Sequence, residues 1–308
     1  MPWVKRGMIF SISGQNGWMR SHAQVPTALV MKDRLRVYIA VRPEQRSSAT
    51  TFVDLALDDP GRILYFHPDP ILPLGPPGTY DEFGVMPSAV FEIDGRVILY
   101  ITGWTRGQTV PYLNAVGIAI SEDGGKTFRR MFPGPVMDRT RDEPFSAMSP
   151  SIVRKDGTWH AWYGSGVEWT RVSGKVEPVY YIKYAHSKDG IEWVRPNITC
   201  IPGRAAGEAT TRPSVIWDKD RFRMWFSYRA STDFRGGAGS YRMGYAESVD
   251  GTIWERDDSR AGIEASATGW DSEMVCYPNI VDTPIGRVMF YNGNGFGAHG
   301  FGYAVWQD

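Results

Sequence analysis

The chain is poor in the residues that build metal centres and disulfide scaffolds, with 2 cysteines and 5 histidines among 308 residues. Cys200 and Cys276 are too few for a disulfide framework and lack metal-ligand spacing, so both are expected to be reduced and buried. No two histidines are spaced to share a transition metal, so no metal ligand is assigned and no cofactor is required. A structural Ca²⁺ or a bound phosphate in a central channel is left open. Charge of one sign is also missing: Lys+Arg 34 balances Asp+Glu 34, which argues against nucleic acid or an anionic membrane as partner. No stretch approaches the roughly 18 apolar residues of a membrane span. Residues 8–12 form only a short apolar run behind Lys5 and Arg6, less than a secretion signal needs, and the expected location is the cytoplasm. The sequon Asn197-Ile198-Thr199 is then expected to be fortuitous.

Proline, by contrast, recurs with a period. Val25-Pro26-Thr27, Met86-Pro87-Ser88, Ser149-Pro150-Ser151, Arg212-Pro213-Ser214 and Tyr277-Pro278-Asn279 are separated by 61, 63, 63 and 65 residues. Each opens an apolar stretch, a polar turn and a second strand, at 34–41, 97–104, 158–163, 222–228 and 287–291. Third strands follow at 116–121, 182–187 and 243–248, ending in Asp123-Gly124-Gly125, Asp189-Gly190 and Asp250-Gly251, turns that tolerate positive φ. Phe128, Trp193 or Trp254 then begins a fourth strand. Repeated four-stranded antiparallel units of this length predict an all-β, five-bladed β-propeller occupying 1–308 as one domain. The fifth unit shows only three strands, the third at 301–306, so residues 7–12 are expected to supply its fourth and close the ring.

The whole chain resembles the glycoside-hydrolase-like five-bladed propellers of the family 32/43/68/130 type, and more closely bacterial "glycosylase" proteins associated with polysaccharide biosynthesis. The likeness is carried by Ser21-His22-Ala23-Gln24-Val25-Pro26, Tyr80-Asp81-Glu82-Phe83-Gly84-Val85-Met86-Pro87, Asp142-Glu143-Pro144-Phe145, Gly207-Glu208-Ala209, Trp270-Asp271-Ser272-Glu273-Met274 and Tyr291-Asn292-Gly293-Asn294. Family 43 enzymes present an Asp base from blade one, an orienting Asp from blade two and a Glu acid from blade three. The resemblance matches Asp81 to the second and Glu143 loosely to the third; blade one offers His22 and Gln24 in place of the base.

Inner strands of a propeller line its channel, so residues just ahead of the five prolines should meet at one mouth. Those residues are His22, Gln24, Asp81, Glu82, Glu143, Glu208, Arg212, Asp271, Glu273 and Tyr277. Crowded carboxyls near arginine split their pKa values into an acid and a base, the pair that glycosyl transfer needs. A separation near 5 Å suits a retaining route and roughly 6.5 to 9.5 Å an inverting one. Glu208 and Glu273 are the expected catalytic pair, with Asp81 as orienter or alternative base. Glu143 and Asp271 join the expected substrate-binding set. The competing reading is that each acid accepts backbone N–H groups in a turn, its recurrence inherited by repeat duplication.

Arg42, Arg212 and Arg229 are expected near the mouth, gripping phosphate or carboxylate, or else pairing with acids such as Glu208. His22 is expected to hydrogen-bond substrate, and Asn292 and Asn294 to bind sugar hydroxyls. Trp104, Trp169 and Trp270 are the candidate stacking platforms, the remaining second-strand aromatics being packing. The reading is a carbohydrate-active enzyme with carboxylate acid/base catalysis on a sugar or nucleotide-sugar. A phosphorylase using arginine-bound phosphate and a non-catalytic glycan-binding propeller are the alternatives.

Overall fold

A computed structural model describes residues 2–12, 17–43 and 47–307. β1 (Trp3–Phe10) leads. Blade one is β2 (Ser21–Val30), β3 (Leu35–Arg42), β4 (Ala49–Leu55) and β5 (Ile63–Phe66). Blade two is β6 (Gly84–Ile93), β7 (Arg96–Thr105), β8 (Leu113–Ser121) and β9 (Arg129–Arg130). Blade three is β10 (Ala147–Lys155), β11 (Thr158–Val172), β12 (Lys175–Ser187) and β13 (Thr199–Ile201). Blade four is β14 (Ala209–Asp218), β15 (Arg221–Arg229), β16 (Arg242–Ser248) and β17 (Glu255–Arg256). Blade five is β18 (Cys276–Thr283), β19 (Gly286–Asn292) and β20 (Phe301–Trp306), completed by β1.

The chain is a five-bladed β-propeller of four antiparallel strands per blade. Closure occurs as expected, but the closing strand is Trp3–Phe10 rather than 7–12, paired antiparallel to β20 from Trp3 opposite Trp306 to Phe10 opposite Phe301. Blade three also departs from the expected pattern: its second and third strands run on past Gly164 and Gly166 into a long hairpin turning at Ser173-Gly174. The second strand was expected to end at residue 163; the two glycines beyond it leave room for Met148, Thr211, Phe145 and Ser146.

The structure explains the proline motif. In four blades the residue before proline has positive φ: Val25 (49°), Ser149 (50°), Arg212 (47°) and Tyr277 (57°). Each lies at a register shift in the inner strand, a β-bulge that admits one extra residue and re-aims side chains. A β-branched residue such as Val25 adopts this conformation only when its surroundings impose it. The residue after each proline is always Thr, Ser or Asn, and in blades three, four and five it seams neighbouring blades. Ser151 Oγ accepts from Val215 N–H (2.9 Å), Ser214 Oγ from Ile280 N–H (2.9 Å) and Asn279 Oδ1 from Ala28 N–H (2.8 Å).

Apolar packing follows the same logic, with five buried clusters, each between neighbouring blades. The second-strand rings reach the Asp-Gly hairpin of the next blade: Tyr38 Oη donates to the Gly125 carbonyl, Tyr100 Oη to Gly190 and Trp162 Nε1 to Gly251. A Cβ on Gly125, whose φ is +80°, would collide with the Tyr38 hydroxyl, so glycine serves both turn and contact. Within the hairpins Asp123, Asp189 and Asp250 accept the following backbone N–H groups. Cys200 and Cys276 are free and buried. No helix of the described residues is long and apolar enough to cross a membrane.

Candidate functional site

The recurring acids serve the fold. In every blade from two to five, the acid that precedes the proline motif by five to seven residues is tied to a base on or beside the outermost strand of its own blade. Asp81 Oδ2 accepts from Arg130 of β9 (2.7 Å), and Glu208 Oε1 from Arg256 of β17 (2.7 Å). Asp271 Oδ2 accepts from Lys5 of β1 (2.7 Å) and from the Tyr291 hydroxyl (2.9 Å). Glu143 lies 3.0 Å from Arg195, just ahead of β13, and accepts from Ser165 (2.5 Å) and Tyr163 (2.9 Å). Burial alone would raise the Glu143 pKa, but Ser165, Arg195 and Tyr163 together hold it below the usual carboxylate range. Blade one makes the same closure without charge, Trp18 Nε1 donating to the Pro68 carbonyl behind β5 (2.6 Å).

These clasps pin each incoming loop to the back of its blade. Asp81, Glu143, Glu208 and Asp271, expected in the channel, are thus each ion-paired to a base of the outer part of their own blade. Their charges are spent on partners 48 to 52 residues away in sequence or, for Asp271, on the far end of the chain. Of the expected catalytic set only Glu273 stays exposed, and among the described residues it has no ion pair.

Two further expectations change. Asn292 is fully buried, its Oδ1 accepting from Val25 N–H (2.8 Å) and its Nδ2 donating to the carbonyls of Ala23 (2.7 Å) and Gly300 (2.8 Å). Asn294 Oδ1 accepts from Glu273 N–H (2.7 Å), and its Nδ2 donates to the Gly269 carbonyl (3.0 Å). Both amides are engaged chiefly by backbone, and both Nδ2 groups donate within the protein. Arg212 is not at a mouth either. It crosses the axis from blade four, donating to the Val25 and Pro26 carbonyls of blade one, the Pro87 and Ser88 carbonyls of blade two and, at 2.7 Å, the Thr27 hydroxyl. Its burial without a carboxylate lowers its pKa to about 10.

Strands one and three of a blade run the same way, so third-strand starts lie at the same end as inner-strand starts. There the structure gathers an aromatic set that the sequence motifs do not reveal. Tyr180 and Tyr241 hydroxyls are 2.7 Å apart, and both lie 3.3 Å from Arg229 Nε. Arg229 rests on the Phe234 ring at 3.9 Å and donates to the Pro178 and Ala230 carbonyls. The Tyr241 ring stands 5.4 Å from Tyr277 and 5.9 Å from Phe296, while Tyr112 of blade two meets Trp169 at 5.6 Å. Tyr112 and Tyr180 both lie within electrostatic reach of Tyr277, whose phenol burial pushes well above its ordinary pKa. An aromatic at the opening of the third strand in blades two, three and four was the available signal.

Blade one completes the arc. Arg42 Nε donates to Gln24 Oε1 (3.1 Å), and His22, at φ 66°, bonds through Nδ1 to Ser21 Oγ (2.7 Å). Burial, then the Arg42 charge, depresses the His22 pKa to about 4. With the folded value below the unfolded 6.5, the unfolded chain binds the extra proton between them. Stability is therefore full above about pH 6.5 and falls as pH drops toward 4. NMR titration should show neutral His22 at pH 6; a midpoint near 6.5 would contradict this environment.

Glu177 is gripped bidentately by Arg235 (2.6 and 3.0 Å), and a Cβ on the adjacent Gly236 would lie 3.5 Å from Glu273 Oε2. The loop carrying Phe234, Arg235 and Gly236 thus runs between Glu177 of blade three and Glu273 of blade five. Of the candidate platforms, Trp104 is held by Ser48 Oγ (2.8 Å) and stacked on Phe83, and Trp270 lies on Tyr291; Trp169 stays beside the mouth.

No protein-family profile matches the chain. Solved structures share its architecture. One is a glycoside hydrolase, at 16% identity and TM-score 0.75 over 98% of this chain and 90% of that one. A thermostable family-43 glycoside hydrolase gives 14% and 0.67 over 94% and 91%. A structure from the GH130 family of mannoside phosphorylases, which contains glycoside hydrolases that target β-1,2 mannosidic linkages in Candida mannan, gives 14% and 0.71 over 99% and 93%. At these identities the likeness is one of fold, and the fold is that of the glycoside-hydrolase propellers. The uncharacterized proteins MT1551 and Rv1502 of two Mycobacterium tuberculosis strains are each 36% identical over 312 residues, covering 100% of this protein and 100% of each relative. The chain belongs to the family of MT1551 and Rv1502.

Proposed function

We propose that the protein is a carbohydrate-active enzyme, of glycoside-hydrolase type, that binds and cleaves a glycoside at the axial mouth. The observation that carries this reading is the convergence of Tyr112, Tyr180, Tyr241 and Tyr277 from four blades, with Arg229 among them. Phenol rings offer flat faces to a pyranose and hydroxyls to its oxygens. Glu273 is the acid/base candidate, and Glu177 the ion-paired carboxylate across the loop. A place in polysaccharide biosynthesis is part of the proposal and is supported by the sequence resemblance alone.

Glu273→Gln removes the exposed carboxyl and no ion pair among the described residues. It is expected to lower kcat by about 10²–10⁴-fold on any glycoside the wild type cleaves, with an unchanged melting temperature. Full turnover by the variant would overturn the assignment. The use of the four repeated acids as clasps favours a second reading, a glycan-binding propeller without catalysis. Wild-type binding without turnover across a glycoside panel would select it.

A further inference from the structure

Most of the well-buried arginines of this structure away from the axis are met by carboxylate. Arg36 pairs with Asp54, Arg130 with Asp81, Arg195 with Glu143, Arg235 with Glu177, Arg256 with Glu208 and Arg287 with Asp218. Around the axis this pattern stops. Arg212 and Arg229 are buried on carbonyls and hydroxyls, and no carboxylate among the described residues pairs with them. Both are nevertheless saturated or nearly so by protein acceptors. Arg42 differs: its Nε is oriented by Gln24, while its two terminal nitrogens have no partner among the described residues.

Among the described residues, the neighbours of Arg42 leave its charge uncancelled. Gln24 fixes the guanidinium as a carboxylate would, but carries no charge. His22 is held neutral by burial, and His299 adds no negative charge. Arg42 and Arg212 both act on the Tyr277 phenol, and Tyr241, beside Tyr277, receives Arg229. Three cations with no paired acid among the described residues therefore act on Tyr277 or on Tyr241 beside it. Burial pulls the Arg42 pKa below its ordinary value, the direction expected of a guanidinium with no counter-charge, whereas Arg36, Arg195 and Arg256 shift upward beside their acids. A partly desolvated cation of this kind gains most from a ligand oxyanion, which a guanidinium fork can take bidentately.

We propose that Arg42 holds an anionic group of the ligand, a carboxylate or phosphate carried by the sugar, next to Tyr277 at the axial mouth. This rests on the reading of the mouth as a glycan site and names the class of glycan. Gln24 is then a positioning residue, setting the fork through Nε while the terminal nitrogens face the anion.

The test is calorimetric titration of the intact chain with methyl uronides, the matching neutral methyl hexosides, hexose 1-phosphates and inorganic phosphate. Wild type, Arg42→Gln and Arg42→Lys are compared, with melting temperature as the folding control. An anionic sugar is expected to bind at least about tenfold tighter than its neutral counterpart, one charge-assisted pair's worth. The gap should close in Arg42→Gln and return in part in Arg42→Lys. Uronide or hexose phosphate preference identifies the anion. Equal affinity for neutral and charged sugars, or a gap unchanged in a folded Arg42→Gln, overturns the anion proposal and leaves the glycan reading intact. Phosphate binding lost in Arg42→Gln, with no sugar bound, retains the anion site and overturns the glycan reading. Failure of every anionic probe to bind at millimolar concentration overturns the proposal.

Discussion

Arg212→Met is expected to destabilise the folded chain by about 3–5 kcal/mol, read as a lower denaturant midpoint at unchanged slope. Arg212 is the strut of the axis: one guanidinium bonds four carbonyls in blades one and two and the Thr27 hydroxyl. Methionine fills similar space yet removes the donor these acceptors share, and each one left unsatisfied is a loss of roughly 1–3 kcal/mol where water does not enter. The Val25 carbonyl alone keeps the Thr27 hydroxyl as a side-chain donor. An opposing effect exists, because an unpaired buried cation is itself costly and its removal returns some free energy. The loss dominates because five acceptors on two other blades depend on this group. A Met variant within about 1 kcal/mol of wild type would show that the axis is wet and the strut dispensable.

Glu143→Gln is expected to cost a similar amount, about 3–5 kcal/mol, since breaking a buried pair strands the surviving charge. Arg195 would lose its counter-ion, while Tyr163 and Ser165 would lose a charged acceptor. The acid limb of the stability curve supplies an independent check. Glu143 has a folded pKa below its unfolded one, so its stabilisation is present above the unfolded value of about 4.5. It is lost as pH falls through the depressed folded value. The wild type should therefore lose stability below about pH 4.5 more steeply than the Gln variant. Parallel acid limbs would show that the carboxylate contributes nothing as an ion. If instead the variant kept its stability and lost a measurable glycosidase activity, Glu143 would be catalytic and the clasp account would fail.

Both predictions turn on how the repeat is read. The spacing of five prolines near 63 residues, alternating strands and Asp-Gly hairpins made the architecture legible, because those signals are local and were copied five times. The closing strand was legible too, as the one apolar segment without a unit of its own; its boundary moved because Trp3 packs against Trp225 and Trp306, a contact between distant parts of the chain. The same copying misled the functional reading. Four acids at one repeat position resemble a shared catalytic pocket, yet a repeated position also repeats its structural partner, here a base at the outer strand. That partner is invisible locally, since Arg130 follows Asp81 by 49 residues and Lys5 precedes Asp271 by 266.

By itself the amino-acid sequence determined the five-fold ring, its four-stranded blades and its closure through the N-terminal strand, because hydrophobic alternation and turn chemistry act over a few residues and need no knowledge of distant neighbours. Only the tertiary structure decided which polar groups face the axis. An inner-strand bulge turns Arg212 into the core, and Asn292 is consumed by backbone carbonyls. Tyr112, Tyr180, Tyr241 and Tyr277 come together from four blades, an assembly of residues far apart in sequence. A side chain's role depends on which donors and acceptors the fold leaves unsatisfied around it, and that accounting closes only when all five blades are in place.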